Sequence, residues 1–234
     1  MQKWPLQLGK FLFKFRSFTP LPLILLTFIF FRPLSASPLW TFAGLAIAFL
    51  GEGLRIASVG FAGSGTSGRE SFLKADSLNT SGLYSLARNP LYWGNLLIFA
   101  GLLGVFANPW ALALFIVFLF LQYHFIVLAE ESYLRERHGA AYLEYCDRVR
   151  RWLPRFDRWL APAARCDWKK VFFKENDSCF NLLMAALLIL AWKENYFSGM
   201  IRQPLFFAGA GLALILFYAW VKFLKKKHAA KTAI

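Results

Sequence analysis

The sequence predicts an all-α polytopic membrane protein, and three observations carry that reading. Hydrophobic residues make up 58% of the chain, including 26 Phe and 9 Trp, which is too apolar for an ordinary soluble domain. Several uncharged runs approach the ~20 residues that a helix needs to cross a bilayer. Charge is sorted between the connections. If the N-terminus is cytoplasmic, residues 1–16, 52–88, 130–177 and 222–234 lie inside and hold 24 of the 27 Lys and Arg. The outer connections keep only Arg32, Lys193 and Arg202, which is the positive-inside asymmetry.

Taken in order, residues 17–31 and 33–51 form two apolar runs separated by Arg32-Pro33. The Arg-Pro that follows the first run is unlike the small-residue site of a cleaved signal peptide. Residues 89–129 contain no Asp, Glu, Lys or Arg, and Asn108-Pro109 divides them into two spans of about 20 residues. Residues 178–192 and 203–221 add two more. The expectation is about six spans in a single membrane domain, 1–234, with both termini cytoplasmic and an additional C-terminal pair over 178–224.

The net charge of +14 follows from this topology and does not point to nucleic acid. A basic inner face suits anionic lipid headgroups. Cys146, Cys166 and Cys179 lack metal-ligand spacing and read as reduced thiols on the inner side. No metal constellation is expected.

Two connections have internal organisation. Residues 60–88 form a polar cytoplasmic segment in which Gly63-Ser64-Gly65-Thr66-Ser67-Gly68 spells G-x-G-x-x-G. No strand leads into it and no βαβ unit can follow, so a flexible Gly/Ser loop is the expectation. In residues 130–153, Leu134, Ala141, Tyr145, Val149 and Trp152 recur at helical spacing, giving one apolar face along the membrane interface. Gly139 is expected to split this segment and Pro154 to end it. The last two spans show no polar cluster. They are expected to pack against the others or to serve an oligomer contact.

The polar residues near span ends are the candidates for chemistry. Tyr84, Arg88, Asn89 and Tyr92, with Pro90 and Gly94, form a turn leading into the third span. The tight Asn108-Pro109 hairpin must return the chain so that Glu130-Glu131 reaches the same face as residues 88–92. Glu52 and Arg55 share a helix face near the inner end of the second span. Ionisable groups at that depth are costly and usually face the protein interior. His124, within the fourth span, reads as an interhelical hydrogen-bonding residue.

The pairing of the Arg88-Asn89-Pro90 turn and Tyr92-Trp93-Gly94 with Glu130-Glu131 resembles the isoprenylcysteine carboxyl methyltransferase and phospholipid methyltransferase families. The resemblance covers roughly residues 50–156. Asn89, where the prenylcysteine branch commonly has His, leans toward the lipid-headgroup branch. The families' Leu-Arg is matched by Leu54-Arg55, and their later aromatic stretch by Tyr142, Tyr145 and Pro154.

The resemblance implies S-adenosylmethionine as cofactor and a lipid or lipid-linked acceptor. Tyr84, Asn89, Tyr92, Gly94, Glu131, Tyr142 and Tyr145 would then bind the cofactor. A carboxylate suits the donor's amino group or sulfonium, and aromatic faces suit a cationic sulfur or an adenine. Glu52 and Arg55 would bind the acceptor. Arg88 and Arg150 would orient an anionic acceptor, whereas an amine acceptor would shift the work to Glu130 as base. The alternatives are a prenylcysteine carboxyl methyltransferase, an NADPH-dependent membrane reductase with a related helical core, and a non-catalytic membrane scaffold.

Overall fold

The computed structural model describes residues 3–63 and 77–232. Among them are eight α-helices and one short 3₁₀ turn, Phe156–Arg158, with no strand. The Gly/Ser motif lies outside the described residues apart from Gly63.

The helices are α1 (Lys3–Phe15), α2 (Pro20–Phe30), α3 (Pro38–Gly60), α4 (Leu83–Leu86), α5 (Pro90–Phe106), α6 (Pro109–Arg148), α7 (Trp168–Ser198) and α8 (Pro204–Thr232). Five of them begin at proline, whose missing N–H costs nothing in a first turn. Side-chain caps reinforce three of the starts. Ser37 accepts from the Leu39 amide, Asn108 from Trp110 and Ala111, and Asp167 from Lys170.

Three helices, α3, α6 and α8, are long and apolar enough to cross a membrane, and α5 is a shorter apolar helix. The first predicted run takes a different form. Pro20 and Pro22 restart the chain after Arg16–Thr19, so α1 and α2 meet at 73°. At 1.5 Å per residue α2 spans only about 16 Å, half a hydrocarbon core. It crosses only if it and α1 together make one broken span. Helix α1 lies against α6, with Gly9 so close that a Cβ there would stand 2.2 Å from the Phe125 carbonyl oxygen.

Helices α3 and α5 form the tightest pair. Gly44 and Gly51 meet Gly101 and Gly94, and a Cβ on Gly101 would sit 2.4 Å from both the Ala48 nitrogen and the Gly44 oxygen. Without a hydrophobic drive between helices in lipid, such backbone approach supplies the packing energy. The α5–α6 hairpin turns at Ala107, left-handed at φ 57°, and Asn108, whose amide also donates to the Arg32 carbonyl. Helix α7 packs on both α3 and α5, while α8 rests on α7.

Gly139 breaks α6 at φ 52°, ψ −124°, as its sequence position predicts. The end of that helix differs from expectation. It stops at Arg148, six residues before Pro154, and residues 149–155 run back along the α4–α5 turn instead of continuing the helix. Trp152 is therefore not on the helical face.

Candidate active site

A cavity of about 930 Å³ lies between α1–α2, α3, α5, α6 and α7. Its polar end is built by the turn before α5, the part of α6 around Glu130–Glu131 and the strap of residues 149–155. The strap is fixed by backbone pairing: the Arg88 amide donates to the Arg150 carbonyl at 3.0 Å, and Arg155 to Leu86 at 3.0 Å. Side chains add to it. Asn89 donates to the Arg151 carbonyl at 3.0 Å and the Trp93 indole to that of Trp152 at 2.7 Å.

Glu131 is the hub of this end. It is buried, and Arg151 grips it with two parallel bonds, Nε at 2.8 Å and Nη2 at 2.6 Å. Arg88 Nη2 approaches the same carboxylate at 3.3 Å, while its Nη1 donates to the Cys146 thiol. The Arg88 Nε is buried with no partner among the described residues. Glu130, one residue earlier, accepts from the Tyr92 hydroxyl at 2.9 Å. The Tyr92 ring in turn packs on Tyr123, centroids 4.8 Å apart.

Three tyrosines complete the polar end. The Tyr145 hydroxyl donates to the Tyr84 carbonyl at 2.7 Å, and Tyr142 packs beside Tyr145. Burial pushes the phenols of Tyr84 and Tyr145 well up from their ordinary value, so both stay protonated donors.

Further along the cavity, Arg55 of α3 is held from two other helices. Its Nε and Nη2 donate to Glu175 of α7 at 3.0 and 2.8 Å, and its Nη1 donates to Asn95 of α5. Glu52 stands 3.9 Å from Arg55 but turns toward α7, accepting from Ser178 at 2.6 Å and the Cys179 thiol at 3.1 Å.

Set against the sequence expectations, Tyr84, Arg88, Asn89, Tyr92, Glu130, Glu131, Tyr142, Tyr145 and Arg55 all line this one cavity. Three candidates do not. Arg150 is exposed. Successive side chains of an extended stretch leave on opposite sides, so the neighbouring Arg151 takes the Glu131 contact. Gly94 is buried against α3, where a Cβ would meet Arg55 Cγ at 2.5 Å; it is a helix-packing position. Glu52 sits behind Arg55 as its support.

Sequence reasoning missed Arg151, Asn95, Glu175 and Ser178. Asn95 had a readable signal, a polar residue inside an otherwise apolar run. Glu175 was hidden because it lies in the connection 130–177, whereas α7 begins at Trp168, ten residues before the apolar run 178–192. The expectation that the C-terminal pair lacks a polar cluster is corrected accordingly. Helix α7 brings Lys170, Lys174, Glu175, Asp177 and Ser178 to the cavity wall.

Comparison with known proteins bears on the same stretch. Curated proteins and solved structures gave no match. Residues 39–141 match the family model for phospholipid methyltransferase. That segment contains α3, α5, the spanning part of α6 and both glutamates of the polar end. The matched segment is similar to phospholipid methyltransferases, and it lies in a chain whose helices α3, α6 and α8 are long and apolar enough to cross a membrane.

Proposed function

We propose that this protein transfers a methyl group from S-adenosylmethionine to the headgroup of a membrane lipid. The observation that carries the reading is the continuity of one cavity. It joins the Arg88–Asn89 turn and the Glu130–Glu131 pair of the family segment to apolar walls formed by α2, α5 and α7.

The residues present fit this cofactor. The unpartnered Nε of Arg88 is a buried cationic donor suited to the carboxylate of an amino-acid tail. Glu131, oriented by Arg88 and Arg151, would take the tail's ammonium or a ribose hydroxyl. Tyr84, Tyr142, Tyr145 and Asn89 would enclose the remainder. When bound, the cofactor supplies a methyl group on a positively charged sulfur. The chain's own part is positioning and exclusion of water, which suits an in-line displacement.

The acceptor reading is a headgroup amine. Arg88 is engaged with Glu131 and Cys146, and Arg150 lies outside the cavity, so the pair expected to grip an anionic acceptor is not assembled. Glu130 keeps one carboxylate oxygen on Tyr92 and lines the cavity with its neighbour Glu131. It would take the proton that an ammonium must lose before its lone pair can attack. The polar end would face the cytoplasm together with both termini, following the distribution of basic residues.

The test supplies purified full-length protein with methyl-labelled S-adenosylmethionine and, in separate reactions, a total lipid extract or a farnesylated cysteine analogue. Label in amine-headgroup lipids is expected. Label in the cysteine analogue alone would move the protein to the prenylcysteine branch, and NADPH binding without donor binding would move it to the reductases.

A further inference from the structure

The cavity reaches beyond the polar end and opens sideways. On α5 its lining runs from Pro90 to Leu102, and on α7 from Lys170 to Leu188. At 1.5 Å per residue these stretches are about 18 and 27 Å long, more than the ~15 Å of one hydrocarbon leaflet. Polarity falls along the way. Arg88, Glu130 and Glu131 stand at one end, Arg55 and Glu175 lie between, and Leu102, Leu182 and Ala185 line the other end.

The opening lies between α2 and α7. Towards the outer side these helices touch through Phe28 and Trp192, ring centroids 5.2 Å apart and edge to face. Nearer the inner side the walls part. Leu21 and Ile24 of α2 and Met184 and Leu188 of α7 edge the cavity, with Leu21 48% and Leu188 61% exposed. Both walls of this window lie outside residues 39–141.

We infer that the α2–α7 window is the door through which a phospholipid acyl chain enters, and that the chain lies along Leu182, Ala185 and Leu102 with its headgroup drawn toward Arg55. A cavity that is polar at one end, apolar at the other and longer than a leaflet is matched by a headgroup and a tail together. A small soluble acceptor would leave the apolar branch without an occupant. The inference rests on the proposed lipid methylation, but chain occupancy can be measured without any turnover.

The experiment places the full-length protein in phosphatidylcholine vesicles containing a phospholipid with a diazirine in mid-chain. After illumination, labelled peptides are mapped by mass spectrometry, and S-adenosylmethionine binding is measured on the same preparation. Label on Leu182 and Ala185 of α7 and on Ile98 and Leu102 of α5 is expected, above that on Leu50, which faces outward on α3. Leu188→Trp, at the exposed rim, should reduce the inner label by roughly tenfold, the effect of overfilling an apolar site, and leave the Leu50 label and donor binding unchanged. Ala185→Phe should do the same from within. Inner label no stronger than that on Leu50, or unchanged by Leu188→Trp, would overturn the door. Inner label present with no donor binding would instead sink the methyltransferase reading and keep the door.

Discussion

Helices α7 and α8 both follow residues 39–141 and have similar lengths, yet they take opposite places. Helix α7 is inserted against α3 and α5, with Val171, Glu175, Leu182, Ala186 and Ile189 buried along one side. Over the most apolar window of α8 only 6% of residues are buried, and the helix leans on α7 alone. Hydropathy favours α8, which of the two is the one apolar enough along its length to cross a membrane, so the inserted place of α7 follows from its charged residues. In α7, Glu175 meets Arg55 inside the bundle, and Lys193, also buried, donates to the Thr41 hydroxyl and the Val105 carbonyl. The charged residues of α8 gather near its C-terminal end, where Lys222 pairs with Asp177 at 2.7 Å in a partly exposed setting. A helix joins the site when its polar residues find buried partners.

Truncation should break the comparison most visibly. A chain ending at Ala164 loses α7 and leaves the Arg55 guanidinium without its carboxylate, a loss of about 3–5 kcal/mol for a buried pair. It is expected to lose methylation activity outright. A chain ending at Gly199 loses only α8 and should retain donor binding and turnover, as read by labelled-methyl incorporation. Equal loss in both would show that α8 belongs to the site.

Single residues sharpen the contrast. Glu175→Ala should lower stability by about 3–5 kcal/mol, since Glu175 is buried and bonded to Arg55. Asp177→Ala removes a partly exposed pair with Lys222 and the bond from the Tyr218 hydroxyl, and should cost less, about 1–2 kcal/mol. Thermal unfolding in detergent checks both, and similar melting shifts would erase the distinction drawn between the two pairs.

The strap offers a further contrast, and its exposed member carries the smallest expected effect. Arg151→Ala removes two charged hydrogen bonds to Glu131 and should cost about 1.5–3 kcal/mol. Arg150→Ala, at an exposed side chain, should stay within about 0.5 kcal/mol. A larger effect at 150 than at 151 would reverse the orientation assigned to this extended stretch.

What could be read beforehand follows the same physical line. Asn108-Pro109 announced the hairpin, and a hairpin obliges its two ends to share a face, so the Arg88–Glu131 pairing was legible without coordinates. Gly139 was legible because only glycine tolerates its left-handed φ cheaply. Arg151 was not, because one register step in an extended strap exchanges the inward side chain for the outward one. Glu175 was not, because a helix extending beyond its apolar run carries no hydropathy signal of where it starts. Gly94 was misassigned because a glycine beside a polar motif looks the same whether it admits a ligand or another helix; its neighbour Gly51 decides for the helix.

The central claim is that Glu131, fixed by Arg88 and Arg151, lies at the donor end of a methyl-transfer cavity. Equilibrium binding of labelled S-adenosylmethionine to the full-length protein and to Glu131→Gln tests it most directly. Losing a charged hydrogen bond costs about 1.5–3 kcal/mol, or roughly ten- to a hundredfold in affinity. Saturable binding to the wild type, weakened by that factor in a variant that still inserts and folds, is the predicted result. Equal affinity in the two proteins, or no binding to the wild type, would contradict it.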